Sequence, residues 1–305
     1  MAEPFSGAQR PSGGRIRPGS GFVEVADRCW VARFEFLDVN VGLVAGDRGL
    51  LVVDTHASEV EARRVVEQVR RLGAGQVVAV VNTHEHFDHT FGNVVFSEAY
   101  GAPATYAHEA AAEALLVTGP ALQRRAAEDP SDLRHADIAA TRLLPPTETF
   151  SSARVVDLGD RIVELVHPGR GHTAGDTVVR VGDADVLFAG DLVEESAVRS
   201  GVPGFGDDCF PLEWPATLDL VIGLLGADPV VVPGHGLPVG KAFVDEQRSA
   251  VGVVAETIRD LASRGVPVTD ALAATEWPYP VEALGSAVRR GYEQLPRSAK
   301  SLPLI

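Results

Sequence analysis

The hexapeptide at residues 84–89, His-Glu-His-Phe-Asp-His, constrains this chain more than any other feature. It places three imidazoles and the Asp88 carboxylate within six residues, directly after the apolar run Val77–Val81. Nitrogen and oxygen ligands at this density suit a borderline cation such as zinc. His84 and His86 project to the same side of an extended segment, while Asp88 and His89 can reach a second point nearby. The sequence therefore predicts a loop at a strand end that can serve two metal ions.

Three later segments repeat this layout, in which an apolar strand is followed by glycine and a residue that can bind a metal ion. They are Gly171-His172 after Ile162–Val166, Gly190-Asp191 after Val186–Phe188, and Gly234-His235 after Val230–Val232. Glycine beside each ligand lets the backbone turn tightly and approach a crowded site. With the hexapeptide, the candidate ligands are His84, His86, Asp88, His89, His172, Asp191 and His235.

Composition and charge narrow the class of protein. The 305 residues are 45% hydrophobic and 23% charged, as in soluble globular proteins, with a net charge of -15 at pH 7. This charge disfavours unaided binding to nucleic acid or to an anionic membrane, since both need basic surface. We therefore expect a small-molecule substrate and neither a nucleic-acid nor a membrane partner. The sequence leaves the oligomeric state open.

Cysteine usage bears on the compartment. The chain has two cysteines, Cys29 and Cys209, which is too few for a disulfide framework. A reducing compartment fits this usage. We therefore expect a cytoplasmic protein.

The chain divides into a tail, one large domain and a helical extension. Residues 1–20 are rich in Gly, Pro and Ser and predict a disordered N-terminal tail. Residues 21–245 predict a single domain of hairpins, strands and helices, with an Ala-rich helical insert at about 108–142. Residues 246–305 predict a C-terminal helical extension packing on that domain. Two sheets packed face to face with helices outside would bury the apolar strands on both faces, which gives an α/β fold class.

Residues 201–214 form a loop long enough to cover the predicted site. Phe205, Phe210 and Trp214 within it are candidates for an apolar substrate wall, with packing onto the core as the alternative. Arg170, two residues before His172, is a candidate contact for an anionic substrate group, with an ordinary solvated arginine as the alternative.

Taken together, these motifs resemble the metallo-β-lactamase superfamily. The pattern is His-x-His-x-Asp-His, then Gly-His-Thr, then Gly-Asp, then Gly-His-Gly, over roughly residues 22–241. The resemblance implies a four-layer αββα sandwich of the metallo-β-lactamase type, with the site at one edge. Because residue 191 is an aspartate, the ligand set looks most like that of glyoxalase II and related hydrolases.

The resemblance also implies a role for each ligand. His84, His86 and His172 would bind a first metal, Asp88, His89 and His235 would bind a second, and Asp191 would bridge both. Asp54 is similar to an aspartate of the family that braces the His-rich loop, and Asp176 is expected to do likewise for His172. The implied cofactor is two Zn²⁺ per chain, with iron and manganese as alternatives.

The implied activity is that of a metallo-hydrolase. Two close metals lower the pKa of a bridging water toward 7, and the resulting hydroxide attacks an acyl carbonyl. Asp88 would orient the hydroxide and later take its proton. The expected substrate contains an ester-like bond, in a thioester, a lactone or a β-lactam.

Other activities use the same residues. A persulfide dioxygenase-like oxidoreductase would hold one iron with His84, His172 and Asp191, which are a subset of the ligands. A polyketide thioesterase-cyclase is a special case of the hydrolase. The tRNA 3′-end endonucleases of the superfamily are disfavoured by the net charge of -15.

Overall fold

A computed structural model describes residues 16–129 and 131–296 of the chain. Its strands are β1 (Val23–Ala26), β2 (Cys29–Arg33), β3 (Asn40–Gly46), β4 (Gly49–Val53), β5 (Val77–Val81), β6 (Ala104–His108), β7 (Glu148–Phe150), β8 (Ala153–Asp157), β9 (Ile162–Val166), β10 (Val178–Val181), β11 (Val186–Glu194) and β12 (Val230–His235). Its helices are α1 (Glu59–Leu72), α2 (Phe87–Thr90), α3 (Asn93–Tyr100), α4 (Glu109–Glu128), α5 (Leu133–Ala140), α6 (Trp214–Leu224), α7 (Lys241–Ser263), α8 (Val268–Ala271) and α9 (Gly285–Gln294). Short 3-10 turns cover Ala197–Arg199 and Val281–Ala283.

The strands of the described residues form two mixed sheets. The first has seven strands in the order β1-β2-β3-β4-β5-β6-β7, antiparallel up to β4 and parallel from β4 onward. The second has five strands in the order β12-β11-β10-β9-β8, with only β11 and β12 parallel. Val53 of β4 pairs with Val81 of β5, so the loops that follow these two strands leave the sheet at the same edge.

The two sheets pack face to face. Phe188 of β11 lies opposite Gly42 of β3, where a Cβ atom at Gly42 would come within 2.3 Å of the Phe188 ring. Glycine at this position therefore makes room for the ring between the sheets. The same buried cluster includes Leu51 and Val81 from the first sheet and Val179 from the second.

Helices cover the outer face of each sheet. Leu50 and Val52 point away from the inter-sheet core and pack in a cluster with residues of α1 and α3. Leu187 and Ala189 do the same in a cluster with α6 and α7. Because successive residues of a strand face opposite sides, strands covered on both faces are apolar throughout. The predicted four-layer αββα sandwich is confirmed.

Helix α1 is capped at both ends. The Ser58 hydroxyl accepts a hydrogen bond from the Glu61 backbone N–H at 3.3 Å, and the helix ends at Gly73 in the left-handed region (φ 68°). The Ala-rich insert contains α4 and α5, which pack on Phe91. The sequence analysis did not find β6 and β7 on either side of this insert. They are short strands of mixed polarity, without the apolar run that predicted the central strands.

The ends of the domain differ from the predicted boundaries. Residues 1–15 and 297–305 lie outside the described residues. Ile16 is buried and the Gly19 backbone N–H donates to the Arg33 carbonyl at 2.9 Å, so the chain is attached to the domain before residue 21, although residues 17–20 are exposed. The predicted boundary at residues 245 and 246 falls inside α7.

The stripe of Val251, Val254, Ile258 and Leu261 on α7 is buried in the core, on the outer face of the second sheet. Among the described residues, no helix combines the length and hydropathy needed to cross a membrane.

We expect Phe188→Ala to lower the free energy of unfolding by about 3–5 kcal/mol, because it empties the space between the two sheets. Chemical denaturation of the metal-free protein would measure the change. Leu133→Ala is the control, since Leu133 is 91% exposed, and it should shift stability by less than about 0.5 kcal/mol. Equal losses in both variants would contradict the placement of Phe188 in the core.

Candidate metal centre

The seven predicted ligands converge from four separate segments at one edge of the sandwich. His84 and His86 follow β5, and Asp88 and His89 lie in the single turn of α2. His172 lies in the loop between β9 and β10, Asp191 lies within β11, and His235 ends β12. All but His86 are buried.

Their ligand atoms form overlapping groups in which all atoms lie within 4.8 Å of one another. Within the described residues, the groups are His84, His86 and His172; Asp88, His89 and His235; His84, His89 and Asp191; and Asp191, Glu194 and His235. The first two groups coincide with the predicted first and second metal sets, which we call the first set and the second set. The structure also brings Glu194 into a group, a residue that the sequence analysis did not propose as a ligand.

The Asp191 carboxylate lies between the two sets. Its Oδ2 atom is 3.5 Å from Nε2 of His172 in the first set and 3.2 Å from Nε2 of His235 in the second. Its Oδ1 atom is 3.3 Å from Nε2 of His89. One carboxylate therefore faces ring nitrogens of both sets, which is the position that a bridging ligand needs.

Three histidines are held through Nδ1, which leaves Nε2 facing the cluster. The acceptors cannot donate, so each Nδ1 carries the proton. The pairs are His89 Nδ1 with Asp54 Oδ2 at 2.8 Å, His172 Nδ1 with the Gly204 carbonyl at 2.7 Å, and His235 Nδ1 with the Leu37 carbonyl at 2.8 Å. The protein thus selects the nitrogen that each ring offers to a metal.

The remaining two histidines are held in different ways. His84 Nδ1 is 3.1 Å from the Thr83 hydroxyl, which itself donates to Asp54, so this ring also directs Nε2 inward. His86 is reversed, because its Nε2 donates to Asp208 Oδ2 at 2.8 Å. Its Nδ1 then lies 2.9 Å from Nε2 of His172, a separation at which the two atoms can share one proton or one cation.

The donor atoms fit a metal ion. Nε2 of His84 is buried and has no hydrogen-bond partner within residues 16–129 and 131–296. Buried polar nitrogens are rarely left in this state, and coordination to a cation would satisfy the atom. The five imidazoles and two carboxylates of the predicted ligands are also the ligand types that zinc takes.

Burial and charge act in opposite directions on the histidine pKa values. Burial lowers the pKa of His84 well below its usual range, so this ring is neutral at pH 7. Burial also opposes charge on His86 and His89, but nearby carboxylates outweigh it. Asp208 raises the pKa of His86 to about 9, and Asp54 and Asp191 raise that of His89 well above its usual range. The site therefore favours positive charge, and metal binding would displace these protons.

Asp54 and Asp176 support the two ligand loops. Asp54, at the end of β4 with φ 64°, accepts hydrogen bonds at 2.8 Å from the Thr83 backbone, the Thr83 hydroxyl and His89. Asp176 accepts from the Thr173 backbone at 3.0 Å and from the Thr173 hydroxyl at 2.8 Å. It therefore fixes the residue after His172 and does not contact the imidazole itself in these bonds.

Asp208 is a further residue of the site that the sequence did not indicate. It lies in the loop at residues 201–213 and holds His86, while the Gly204 carbonyl of the same loop holds His172. The charge of His86 lowers the pKa of Asp208 to about 2 although burial acts to raise it, so Asp208 is a carboxylate at neutral pH. The available signal was the acidic pair Asp207-Asp208 in a loop rich in glycine.

Two of the predicted substrate residues belong to the core. Trp214 is fully buried, and its indole N–H donates to the Leu192 carbonyl at 3.2 Å. Phe205 is also buried, with its ring centroid 5.2 Å from that of Trp214 and 6.2 Å from that of Tyr279. The Trp214 ring centroid is also 5.9 Å from that of His172. Both side chains therefore follow the alternative of packing onto the core.

The other two substrate candidates lie nearer the surface. Arg170 is exposed and pairs with Glu213 through two hydrogen bonds, of 2.9 and 2.6 Å. Its guanidinium also lies 4.4 Å from the centre of the Phe210 ring. Arg170 and Phe210 therefore contact each other beside the loop, and their role in substrate binding stays a prediction.

Residues 35–235 match the metallo-beta-lactamase superfamily, which is more than half of the chain. The chain is 27% identical over 197 residues to metallo-beta-lactamase type 2 from Bacillus cereus, covering 64% of this chain and 66% of that protein. It is 28% identical over 195 residues to 2,4-dinitroanisole O-demethylase subunit alpha from Nocardioides sp. (strain JS1661), covering 63% of this chain and 51% of that protein. The chain thus spans between half and two thirds of the length of these relatives.

A solved structure supports the same fold. DIM-1 metallo-beta-lactamase superposes with a TM-score of 0.57 at 20% sequence identity, covering 76% of this chain and 96% of that one. At this identity the likeness concerns the arrangement of strands and helices.

We expect Asp54→Ala to weaken metal binding about 10–100-fold, because His89 and Thr83 lose the carboxylate that orients them. Competition with a chromophoric chelator would measure the zinc affinity. Asp219→Ala is the matched control, since Asp219 is a surface carboxylate paired with Arg248 at 2.6 Å, away from the site. Unchanged affinity in Asp54→Ala would show that this carboxylate does not orient the ligands.

Proposed function

Because the chain belongs to the metallo-β-lactamase superfamily, we propose that it is a metal-dependent hydrolase with two zinc ions. The first set would hold one ion, the second set the other, and Asp191 would bridge them. The observation that carries this proposal is the place of the Asp191 carboxylate, 3.2–3.5 Å from ring nitrogens of both sets. Zinc is the proposed metal because five of the seven donors are imidazoles.

The proposed substrate is a small molecule with an ester-like bond, in a thioester, a lactone or a β-lactam. The relative from Bacillus cereus, named as a β-lactamase, supports cleavage of an acyl bond.

A cytoplasmic location is part of the proposal. Cys29 and Cys209 are buried and not paired with each other, and burial raises the pKa of each thiol to about 12, which suits a protein kept in a reducing compartment.

The residues of the chain have separable roles in such a reaction. Bound zinc would supply Lewis acidity and a water of lowered pKa. Asp88 is buried at the cluster, with Oδ2 3.4 Å from Nε2 of His235 and 3.8 Å from Nε2 of His89, and would accept the proton of the attacking water. Asp54 and the Leu37 carbonyl hold these two rings before substrate arrives, so little reorganisation accompanies the reaction.

We expect two zinc ions per chain in protein purified without chelators, measured by inductively coupled plasma mass spectrometry. Removal of the metal should abolish hydrolysis of a panel of thioesters, lactones and β-lactams, and added zinc should restore it. One iron per chain, with oxygen consumption in the presence of a persulfide, would contradict the proposed hydrolase and support the persulfide dioxygenase-like oxidoreductase.

We expect Asp88→Asn to lower kcat about 10²–10⁴-fold, because the amide cannot accept the proton of the attacking water. Steady-state kinetics on the best substrate of the panel would measure this, together with the zinc content. The matched control is Asp245→Asn, at an exposed carboxylate of α7 whose Oδ1 lies 3.6 Å from the Lys241 ammonium. A kcat within a few-fold of the unsubstituted chain would rule out Asp88 as the proton acceptor.

A further inference from the structure

The loop at residues 201–213 contacts the first set from behind. Asp208 accepts from His86 Nε2 at 2.8 Å, and the Gly204 carbonyl accepts from His172 Nδ1 at 2.7 Å. One loop therefore fixes two of the three histidines of the first set. The second set has other supports, since Asp54 holds His89 and the Leu37 carbonyl holds His235.

Helix α9 holds the same loop from its other side. On one side of Asp208, the Ser286 hydroxyl donates to Asp207 Oδ1 at 2.6 Å, and Arg289 donates to the same oxygen. On the other side, the Gln294 amide donates to the Cys209 carbonyl at 2.9 Å. Both neighbours of Asp208 are thus attached to α9, while its own side chain points to His86.

A third contact strengthens this attachment. Arg290 Nε donates to the Cys209 carbonyl at 3.3 Å, and its guanidinium lies 5.6 Å from the centre of the Phe210 ring. Cys209 itself is fully buried in the cluster that contains α7 and α9. The segment around Asp208 is therefore fixed by hydrogen bonds from α9 side chains to its backbone as well as by packing.

Helix α9 packs closely against α7. A Cβ atom at Gly291 would come within 2.8 Å of Ile258 on α7, so the two helices approach closely there. The Tyr292 hydroxyl donates to the Val266 carbonyl at 2.9 Å, and Ala287 and Val288 are buried. A helix packed against α7 therefore meets the outer side of the loop.

We propose that α9 positions the first set, with Ser286, Arg289 and Gln294 acting through Asp208 on His86. The proposal rests on the proposed two-metal function. The helix lies beyond residue 235, where the match to the family ends. Since the second set is held by Asp54 and Leu37, α9 should govern the metal affinity of one set and leave the other unchanged.

The test measures zinc affinity of the full-length chain in two backgrounds. His235→Ala keeps the first set complete, and His86→Ala keeps the second set complete. In each background the double variant Arg289→Ala/Gln294→Ala removes one attachment on each side of Asp208. We expect about tenfold weaker zinc binding in the His235→Ala background, the lower end for residues that orient ligands, and less than twofold change in the His86→Ala background.

One control and one milder variant separate positioning from a general loss of structure. Arg248→Ala removes another arginine–aspartate pair, between Arg248 on α7 and Asp219 on α6 at 2.6 Å, and should leave both affinities unchanged. Ser286→Ala removes a single exposed hydrogen bond and should weaken the first set to a smaller degree, even if the double variant folds poorly. Thermal unfolding of each metal-free variant reports on the fold.

A thermodynamic cycle tests the route. If α9 acts through Asp208, the double variant should change zinc affinity by less than about twofold once Asp208→Asn is present, since coupled residues are not additive. Equal weakening of both sets, or no weakening of the first, would overturn the proposal. A chain that binds fewer than two zinc ions without any substitution would instead contradict the proposed function, so the two failures are distinguishable.

Discussion

The metal centre depends on the hydrogen bonds that the Asp54 carboxylate accepts. It is buried and accepts three hydrogen bonds from the two ends of the His-rich segment, namely Thr83 and His89. A buried anion is costly unless its oxygens are satisfied, so these contacts both stabilise Asp54 and fix the segment. Its place depends in turn on the parallel pairing of β4 and β5, which brings the ends of the two strands together. The pairing of β4 with β5 thus sets the position of Thr83 and His89 through the Asp54 side chain.

The centre combines opposing electrostatic demands within a small volume. His84 and His89 have ring centroids 4.3 Å apart, yet burial lowers the pKa of the first while carboxylates raise that of the second. The carboxylates around His86 and His89 favour positive charge, which protons or metal cations can supply. Such a site is poorly stabilised by packing alone. The rigid apolar layers on either side hold the ligands together against this cost.

The sequence predicted the candidate ligands, which the structure brings together, and the layers, because both leave local signals. Each ligand follows an apolar strand, and strands apolar on both faces indicate a sheet covered on both sides. Supports such as Asp208 leave no such signal, because it lies 122 residues from His86 and no periodicity links them. The sequence also could not predict that Trp214 is buried. An aromatic residue in a loop can face solvent or core, and its contacts with distant segments decide which of the two it does.

The attachment of the 201–213 loop to α9 bears on how the chain assembles. His86 is made before the residues that hold the loop behind it, which are among the last that the structure describes. A chain still emerging from a ribosome can pair its first sheet and form the contacts of Asp54 long before α9 exists. The support of His86 is therefore completed only after α9 has been made. A protein cut short before α9 would keep every ligand and lack the brace behind one of them.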